Sequence, residues 1–172
     1  MTILRSLQNG LAGSDAKWRK AMANQMIEAD LQLIQLMPLF QSDEKTAQRF
    51  MWFIGDLSEL APELIKPCLP LLFEMRDDMP FPGMHRSLAK WFLKTDVPEE
   101  IQSEVVEEVL GWLESPSESI ACQSFAAKLM VELAKQGRCD NRRLCLALDR
   151  LMKHDNRAFA RRMAKLRIEM DQ

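Results

Sequence analysis

Apolar residues recur along nearly the whole chain at the three- and four-residue spacing of an α-helix, and nowhere do they alternate as in a β-strand. Three segments carry broad apolar stripes of this kind: Ala47, Phe50, Met51, Ile54 and Leu57; Cys122, Phe125, Ala126, Leu129, Met130 and Leu133; and Phe159, Met163, Leu166 and Met170. A helix places such residues on one side, whereas a strand would divide them between two faces. The spacing therefore predicts an all-α fold.

Capping residues and prolines divide the chain into helices. Ser14-Asp15 and Ser42-Asp43 are predicted N-caps, and residues 115–118 form a capping box with Pro116 at the first helical position. Pro67 and Pro70 each remove an amide donor, so we expect them to kink or restart the helix within residues 64–75. The predicted helices span about 3–9, 15–28, 30–40, 43–58, 62–76, 84–95, 98–114, 116–136, 141–153 and 156–170.

The first helices of successive pairs form a weak internal repeat. Residues 84–90 align with 122–128 and with 159–165, at offsets of 38 and 37 residues, and residues 46–50 precede the first of these segments by a further 38. A period of this length is typical of helical-hairpin solenoids, in which each pair of helices buries its apolar face against its neighbours.

The segment SELAPELIKPCLPLL, residues 58–72, resembles the turn and second helix of a HEAT repeat, and residues 42–136 resemble small bacterial HEAT-like proteins without an established activity. This resemblance extends over roughly residues 14–170. It implies an α-α superhelix of about four to five stacked antiparallel hairpins of the HEAT/armadillo kind. We expect a single domain over residues 1–172, with an irregular capping hairpin at 1–41 and more regular repeats at 42–172.

Composition limits the class of protein further. A length of 172 residues suits one domain, which at this size buries roughly 70% of its unfolded surface. No apolar run reaches the ~20 residues of a membrane span, and no apolar segment of a signal peptide follows the first residues. The four cysteines, Cys68, Cys122, Cys139 and Cys145, stand singly in apolar surroundings, which indicates buried thiols rather than disulfides. We therefore expect a cytoplasmic protein.

The sequence contains no recognisable set of catalytic residues or metal ligands. Its only histidines, His85 and His154, are far apart in the repeat scheme, and neither they nor the cysteines have the spacing of a zinc site. A glycine-rich phosphate loop and the motifs of known hydrolases are also missing. The sequence therefore predicts no catalytic residue, metal or cofactor, and favours a non-enzymatic protein.

One pair invites comparison with an enzyme. Trp52 and Asp56 are four residues apart and share a helix face. They resemble the HEAT-like alkylpurine DNA glycosylases, in which an Asp beside tryptophans stabilises the positive charge that develops as the glycosidic bond of a damaged base breaks. Those enzymes also need a basic groove. Because Trp52 lies within an apolar stripe and its neighbours in sequence are not basic, we expect it to pack in the core.

Charge is distributed unevenly along the chain. Residues 135–172 carry eleven Lys and Arg against five Asp and Glu, whereas the rest of the chain carries twelve against twenty. The predicted basic patch consists of Arg142, Arg143, Arg150, Lys153, Arg157, Arg161, Arg162 and Lys165, and an acidic stripe of Glu100, Glu104, Glu107 and Glu108 precedes it. The patch could pair with this stripe, contact an acidic protein or another copy of the chain, or bind nucleic acid.

These observations favour a non-enzymatic protein-protein interaction or scaffold module that binds a protein or peptide on its concave surface. We expect that surface on the second helices of the pairs, at 30–40, 62–76, 98–114 and 141–153. The alternative is a nucleic-acid-binding HEAT-like protein related to the alkylpurine DNA glycosylases.

Overall fold

The computed structural model describes residues 3–79 and 83–171, and in these residues it contains helices and turns but no β-strand. The α-helices are α1 (Ile3–Gly10), α2 (Ala16–Glu28), α3 (Glu44–Leu60), α4 (Pro62–Ile65), α5 (Leu69–Glu74), α6 (Met84–Thr95), α7 (Gln102–Glu114), α8 (Ile120–Lys135), α9 (Asn141–Leu151) and α10 (Arg157–Glu169). Short 3₁₀ segments occupy Leu11–Gly13, Leu33–Gln41, Lys66–Cys68 and Glu99–Ile101. The all-α prediction is confirmed.

Side-chain caps fix the start of most long helices. Asp15 accepts the amide hydrogen of Trp18 at 2.7 Å, and Asp43 accepts that of Thr46 at 3.1 Å, as the two predicted caps require. Asp140 and Asn156 cap α9 and α10 in the same way. These contacts are local, which is why the starts of these helices could be predicted closely.

The predicted capping box at residues 115–118 is wrong. These residues form a turn, in which the Ser117 amide donates to the Ser115 hydroxyl, and α8 begins only at Ile120 with Ser119 as its cap. Two serines able to cap lie four residues apart, and the later one is used. As a result Glu118 lies outside the helix, where its carboxylate contacts His85.

The helix predicted at residues 30–40, the second of the N-terminal hairpin, begins only at Leu33 and is a 3₁₀ helix instead of an α-helix. Asp30 has a φ of +49° and ends α2 in a Schellman motif, with the Leu31 amide donating to the Met26 carbonyl. The chain then forms the 3₁₀ segment Leu33–Gln41, which contains Pro38. Proline has no amide hydrogen to donate to the preceding turn, and this disfavours a regular α-helix.

The prediction that prolines interrupt residues 62–76 is confirmed. The segment consists of α4, a 3₁₀ turn over Lys66–Cys68, and α5. Pro67 and Pro70 each lie in the first turn of one of the two later pieces, where the missing donor costs least.

The long helices pack in a row that follows the internal repeat. α2 packs against α3, α3 against α6, α6 against α8, and α8 against α10. The other helices lie beside this row: α4 against α3 and α6, α5 against α6, α7 against α8 and α9, and α9 against α10. We call the helices α3, α6, α8 and α10 the first row, and α4, α5, α7 and α9 with the intervening 3₁₀ segments the second row.

The core lies between the two rows. The stripe in α3 is at most 2% exposed, and most members of the stripes in α8 and α10 are buried as well. Phe125 and Met170 are half-buried. All four cysteines are free; Cys68 and Cys122 are buried as expected, whereas Cys139 and Cys145 are only partly buried.

Candidate functional site

The two rows differ in charge. The first row carries twelve Lys and Arg against five Asp and Glu. The second row carries four Lys and Arg against nine Asp and Glu. Charge is therefore divided between the two rows as well as between the two ends of the sequence.

Cations occupy equivalent repeat positions on successive helices of the first row. Lys90, Lys128 and Lys165 are separated by the repeat offsets of 38 and 37 residues, and Trp52 holds the equivalent position in α3. Ion pairs link the helices along this surface: Glu59 of α3 binds Lys90 and Lys94 of α6 at 3.2 and 2.9 Å, and Lys135 of α8 binds Glu169 of α10 at 2.8 Å. We call this surface of the first row the basic face.

Several cations of the basic face form no ion pair with any residue in the described ranges. They are Arg49, Arg86, Lys128, Arg157, Arg161, Arg162 and Lys165. Lys128 and Lys165 nevertheless lie near Glu169, whose pKa is lowered first by the hydrogen bond from Lys135 and further by the charges of these two lysines. Glu169 is therefore within range of the charges of three lysines.

A groove of about 390 Å³ crosses the basic face at Trp52. Side chains from four helices line it, among them Arg19 of α2, Asp56 of α3, Arg86 of α6 and Phe125 of α8. Trp52 is 38% exposed, so the prediction that it packs in the core is wrong. It lies one residue beyond the buried Met51, and the rotation of about 100° per residue around the helix places its ring at the surface.

The surroundings of Trp52 are basic, although its neighbours in sequence had predicted surroundings that are not basic. The guanidinium groups of Arg49 and Arg19 lie 4.4 and 5.4 Å from the centroid of the indole ring, at the distance of cation-π contacts. Arg19 also donates to Asp56 at 2.9 Å, and both side chains are largely buried. The Asp56 carboxylate is thus already paired within the protein.

The structure divides the predicted basic patch between the two rows. Arg143 of α9 binds Glu107 at 2.7 Å and forms two hydrogen bonds with Glu114, at 2.9 and 2.8 Å. Arg150 donates to the Leu113 carbonyl at 2.9 Å. Arg143 and Arg150 of α9 therefore face α7, while the arginines of α10 belong to the basic face. Arg142 and Lys153 are exposed and have no ion pair in the described part of the chain.

The predicted acidic stripe, which has Glu100 in the 3₁₀ segment Glu99–Ile101 and its other three members on α7, is only partly used in such pairs. Glu107 pairs with Arg143, and Glu108 pairs with Arg76 at 3.1 Å. Glu100 and Glu104 are exposed, and no cation of the described residues pairs with them. Pairing of the stripe with α9 thus accounts for one glutamate of the four.

An arginine between α8 and α9 ties three elements together. The Arg138 guanidinium donates to Asp96 at 2.6 Å, to the Val97 carbonyl at 2.7 Å and to Gln102 at 2.7 Å. Asp96 has a φ of +73° at the end of α6, so the arginine holds an unusual backbone turn. This contact joins successive repeats at the edge of the second row.

A cluster of ionisable side chains surrounds His85 and was not predicted from the sequence. Its Nδ1 lies 2.6 Å from Glu118 and its Nε2 lies 3.5 Å from Asp77. The imidazole stacks on the Trp112 indole with ring centroids 4.5 Å apart, and the same indole donates to Glu108 at 3.2 Å. The cluster borders a cavity of about 390 Å³.

Nothing in the linear pattern predicted this cluster, because its members come from four separate elements. The mistaken helix start at residues 115–118 also concealed Glu118.

Cys122 lines the same cavity. Burial raises the pKa of its thiol well above the usual range, and the nearby Glu118 raises it further, so the sulfur stays protonated.

No helix among the described residues combines the length and the apolar character needed to span a bilayer. Comparisons of the chain with protein-family models, with curated proteins and with solved structures gave no match.

Proposed function

We propose that this chain is a non-enzymatic interaction module that binds an acidic segment of a partner protein on its basic face. The observation that carries the proposal is the set of exposed cations on α8 and α10, among them Lys128, Arg161 and Lys165, that form no ion pair with a described residue. Arg157, Arg161 and Lys165 follow one another at four-residue intervals on α10. Like charges at this spacing destabilise a helix, and an anionic ligand would offset that cost.

The proposal includes a HEAT/armadillo-like superhelix. Its support is the agreement between the repeat offset in the sequence and the order in which α3, α6, α8 and α10 pack. It differs from the expectation from sequence in the surface used. Arg143 of the second row and Arg76 beside it form internal ion pairs, whereas the groove at Trp52 and most of the unpaired cations lie on the first row.

Affinity capture from a native lysate tests this function with a matched pair of variants. The basic-face variant carries Lys128→Glu, Arg161→Glu and Lys165→Glu. The control variant carries the same change of charge at Lys66→Glu, Arg142→Glu and Lys153→Glu, three exposed positions outside the first row. The lysate is treated with nuclease so that bridging nucleic acid is removed.

The wild-type chain and the control variant should recover the same acidic protein, and the basic-face variant should lose it. Equal recovery by both variants would contradict the use of this face. If nuclease abolishes all recovery, the second candidate function below is favoured instead.

The second candidate is nucleic-acid binding, with base excision as its enzymatic form. The observation in its favour is the groove, which brings Trp52 together with Arg19, Arg49 and Arg86. An aromatic ring among arginines suits a nucleic acid strand. The ion pair between Asp56 and Arg19 weighs against excision, because a carboxylate that stabilises a cationic base must be available to it.

Fluorescence anisotropy with labelled single-stranded and duplex DNA tests this candidate. Binding should weaken steeply with salt, because neutralised phosphates release counterions, and it should weaken further in the basic-face variant. Release of an alkylated purine by the wild-type chain but not by Asp56→Asn would establish excision. No binding to either DNA at low salt would eliminate the candidate.

A further inference from the structure

Three potential metal ligands from different elements meet beside the cavity at His85. The Nε2 of His85, at the start of α6, and one carboxylate oxygen each from Asp77 and Glu108 lie within 4.8 Å of one another. Asp77 follows α5 and Glu108 belongs to α7, so the fold, rather than a local sequence motif, assembles the set. One nitrogen and two oxygen donors suit a divalent transition metal.

Hydrogen bonding leaves the His85 Nε2 lone pair available. The 2.6 Å contact between Nδ1 and the Glu118 carboxylate places the proton on Nδ1. The Asp77 oxygen, at 3.5 Å from Nε2, is too distant for a strong hydrogen bond. A carboxylate behind a histidine is the usual outer partner of a metal-bound imidazole, since it fixes the tautomer and the ring orientation.

Trp112 supports two of the three ligands. Its indole stacks on the imidazole at an interplanar angle of 10° and donates its Nε1 hydrogen to Glu108. Trp112 is only 4% exposed, so it contacts the imidazole and the Glu108 carboxylate from the interior of the protein. The opposite side opens into the cavity, which leaves room for water to complete the coordination.

We propose that Asp77, His85 and Glu108 bind a zinc ion, with Glu118 and Trp112 as positioning residues. A histidine ligand disfavours Mg²⁺ and Ca²⁺, which prefer oxygen donors only. The zinc site is independent of the basic face and of the function proposed for it.

The guanidinium group of Arg76 competes with the metal ion for two of its three ligands. Its guanidinium lies 3.1 Å from Glu108 and 3.6 Å from Asp77, and its buried Nε has no hydrogen-bond partner among the described residues. The arginine neutralises both carboxylates when the metal is absent. Zinc must displace this cation or share the carboxylates with it, so removing the cation strengthens zinc binding.

Zinc titration against a chromophoric chelator, with metal-stripped protein, tests the site. The wild-type chain binds one equivalent. His85→Gln and Glu108→Gln lose that equivalent. Glu118→Gln weakens zinc affinity by about 10- to 100-fold, as the loss of an outer partner of a metal ligand does.

Arg76→Gln binds zinc more tightly than the wild-type chain. Asp78→Asn, next to Asp77 but outside the set, leaves binding unchanged. Circular dichroism confirms that each variant is folded.

Thiols are the competing zinc ligands in this chain. The double variant Cys139→Ser/Cys145→Ser keeps the bound equivalent, and Co²⁺ in place of zinc gives no thiolate-to-metal charge-transfer band. The site is disproved if the folded wild-type chain binds no zinc, if His85→Gln still binds one equivalent, or if the cysteine variant loses it. In each of these cases the His85 cluster is an ion-pair network only.

Discussion

The two rows of helices differ in how many of their cations have no ion pair. Around the second row Arg76, Arg138 and Arg143 contact carboxylates, and three of its own cations form no ion pair with a described residue, namely Lys66, Arg142 and Arg150. In the first row Lys128, Arg161 and Lys165 point into solvent and have no such partner among the described residues. Paired charges of opposite sign stabilise the folded state, whereas unpaired charges of one sign repel each other and raise its free energy. The comparison separates cations that stabilise the fold from cations available to a ligand.

The largest loss of stability is expected from Arg138→Ala. This change removes hydrogen bonds to Asp96, Gln102 and the Val97 carbonyl and leaves partly buried acceptors without a donor. The free energy of unfolding should fall by about 2–3 kcal/mol, as when charged hydrogen bonds are lost. Urea unfolding measures the change. Arg142→Ala, an exposed arginine four residues away, is the control and should have almost no effect.

A smaller loss is expected from Arg143→Ala. The pair with Glu107 and Glu114 is well formed but more than a third exposed, so the cost should be about 0.5–1 kcal/mol and should shrink in salt. An equal loss at low and high salt would show that the arginine acts by packing instead.

The same ion pair predicts a dependence of stability on pH. The hydrogen bond from Arg143 lowers the pKa of Glu114 below its ordinary value of 4.5 in the folded state. The contribution of the pair is therefore complete above pH 4.5 and is lost as the pH falls through the lowered folded pKa. The difference in stability between the wild-type chain and Arg143→Ala should consequently narrow in acid. A difference that stays constant below that range would contradict the assignment.

The smallest effect on stability is expected on the basic face. Lys128→Ala, Arg161→Ala and Lys165→Ala together should change the free energy of unfolding by no more than about 0.5 kcal/mol, or raise it slightly, since they remove like charges and no ion pair. Unfolding in urea at low salt makes the test most sensitive. A loss comparable with that of Arg138→Ala would show that these cations have structural partners.

How far the sequence could predict this molecule depends on the range of the interactions involved. Asp15 and Asp43 each accept an amide hydrogen from the residue three positions further along the chain. The starts of α2 and α3 therefore followed from the sequence. The start of α8 did not, because Ser115 and Ser119 both qualify as caps and only the folded structure distinguishes them. The end of α2 at Glu28 was predicted correctly, but the start of the next helix was not, since Asp30 adopts a backbone conformation more typical of glycine and the 3₁₀ segment begins only at Leu33.

The candidate sites were less predictable than the helices. The repeat alignment already places Lys90, Lys128 and Lys165 at equivalent positions, but it does not show that Lys90 pairs with Glu59 while the other two form no ion pair with a described residue. The basic surroundings of Trp52 include Arg19 and Arg86, each more than thirty residues away in sequence. The residues next to Trp52 in the sequence therefore predicted the wrong environment for its indole ring. The His85 cluster likewise depends on contacts among separate helices.

Lysine acetylation followed by mass spectrometry tests most directly whether the basic face is the binding surface. The folded chain is labelled briefly in a native lysate and, separately, in purified form, so the partner need not be known. We predict that Lys128 and Lys165 are labelled severalfold less in the lysate, while Lys66, exposed in the second row, is labelled equally in both. Equal labelling of all three lysines, or protection of Lys66 alone, would contradict the assignment of the binding surface to the first row.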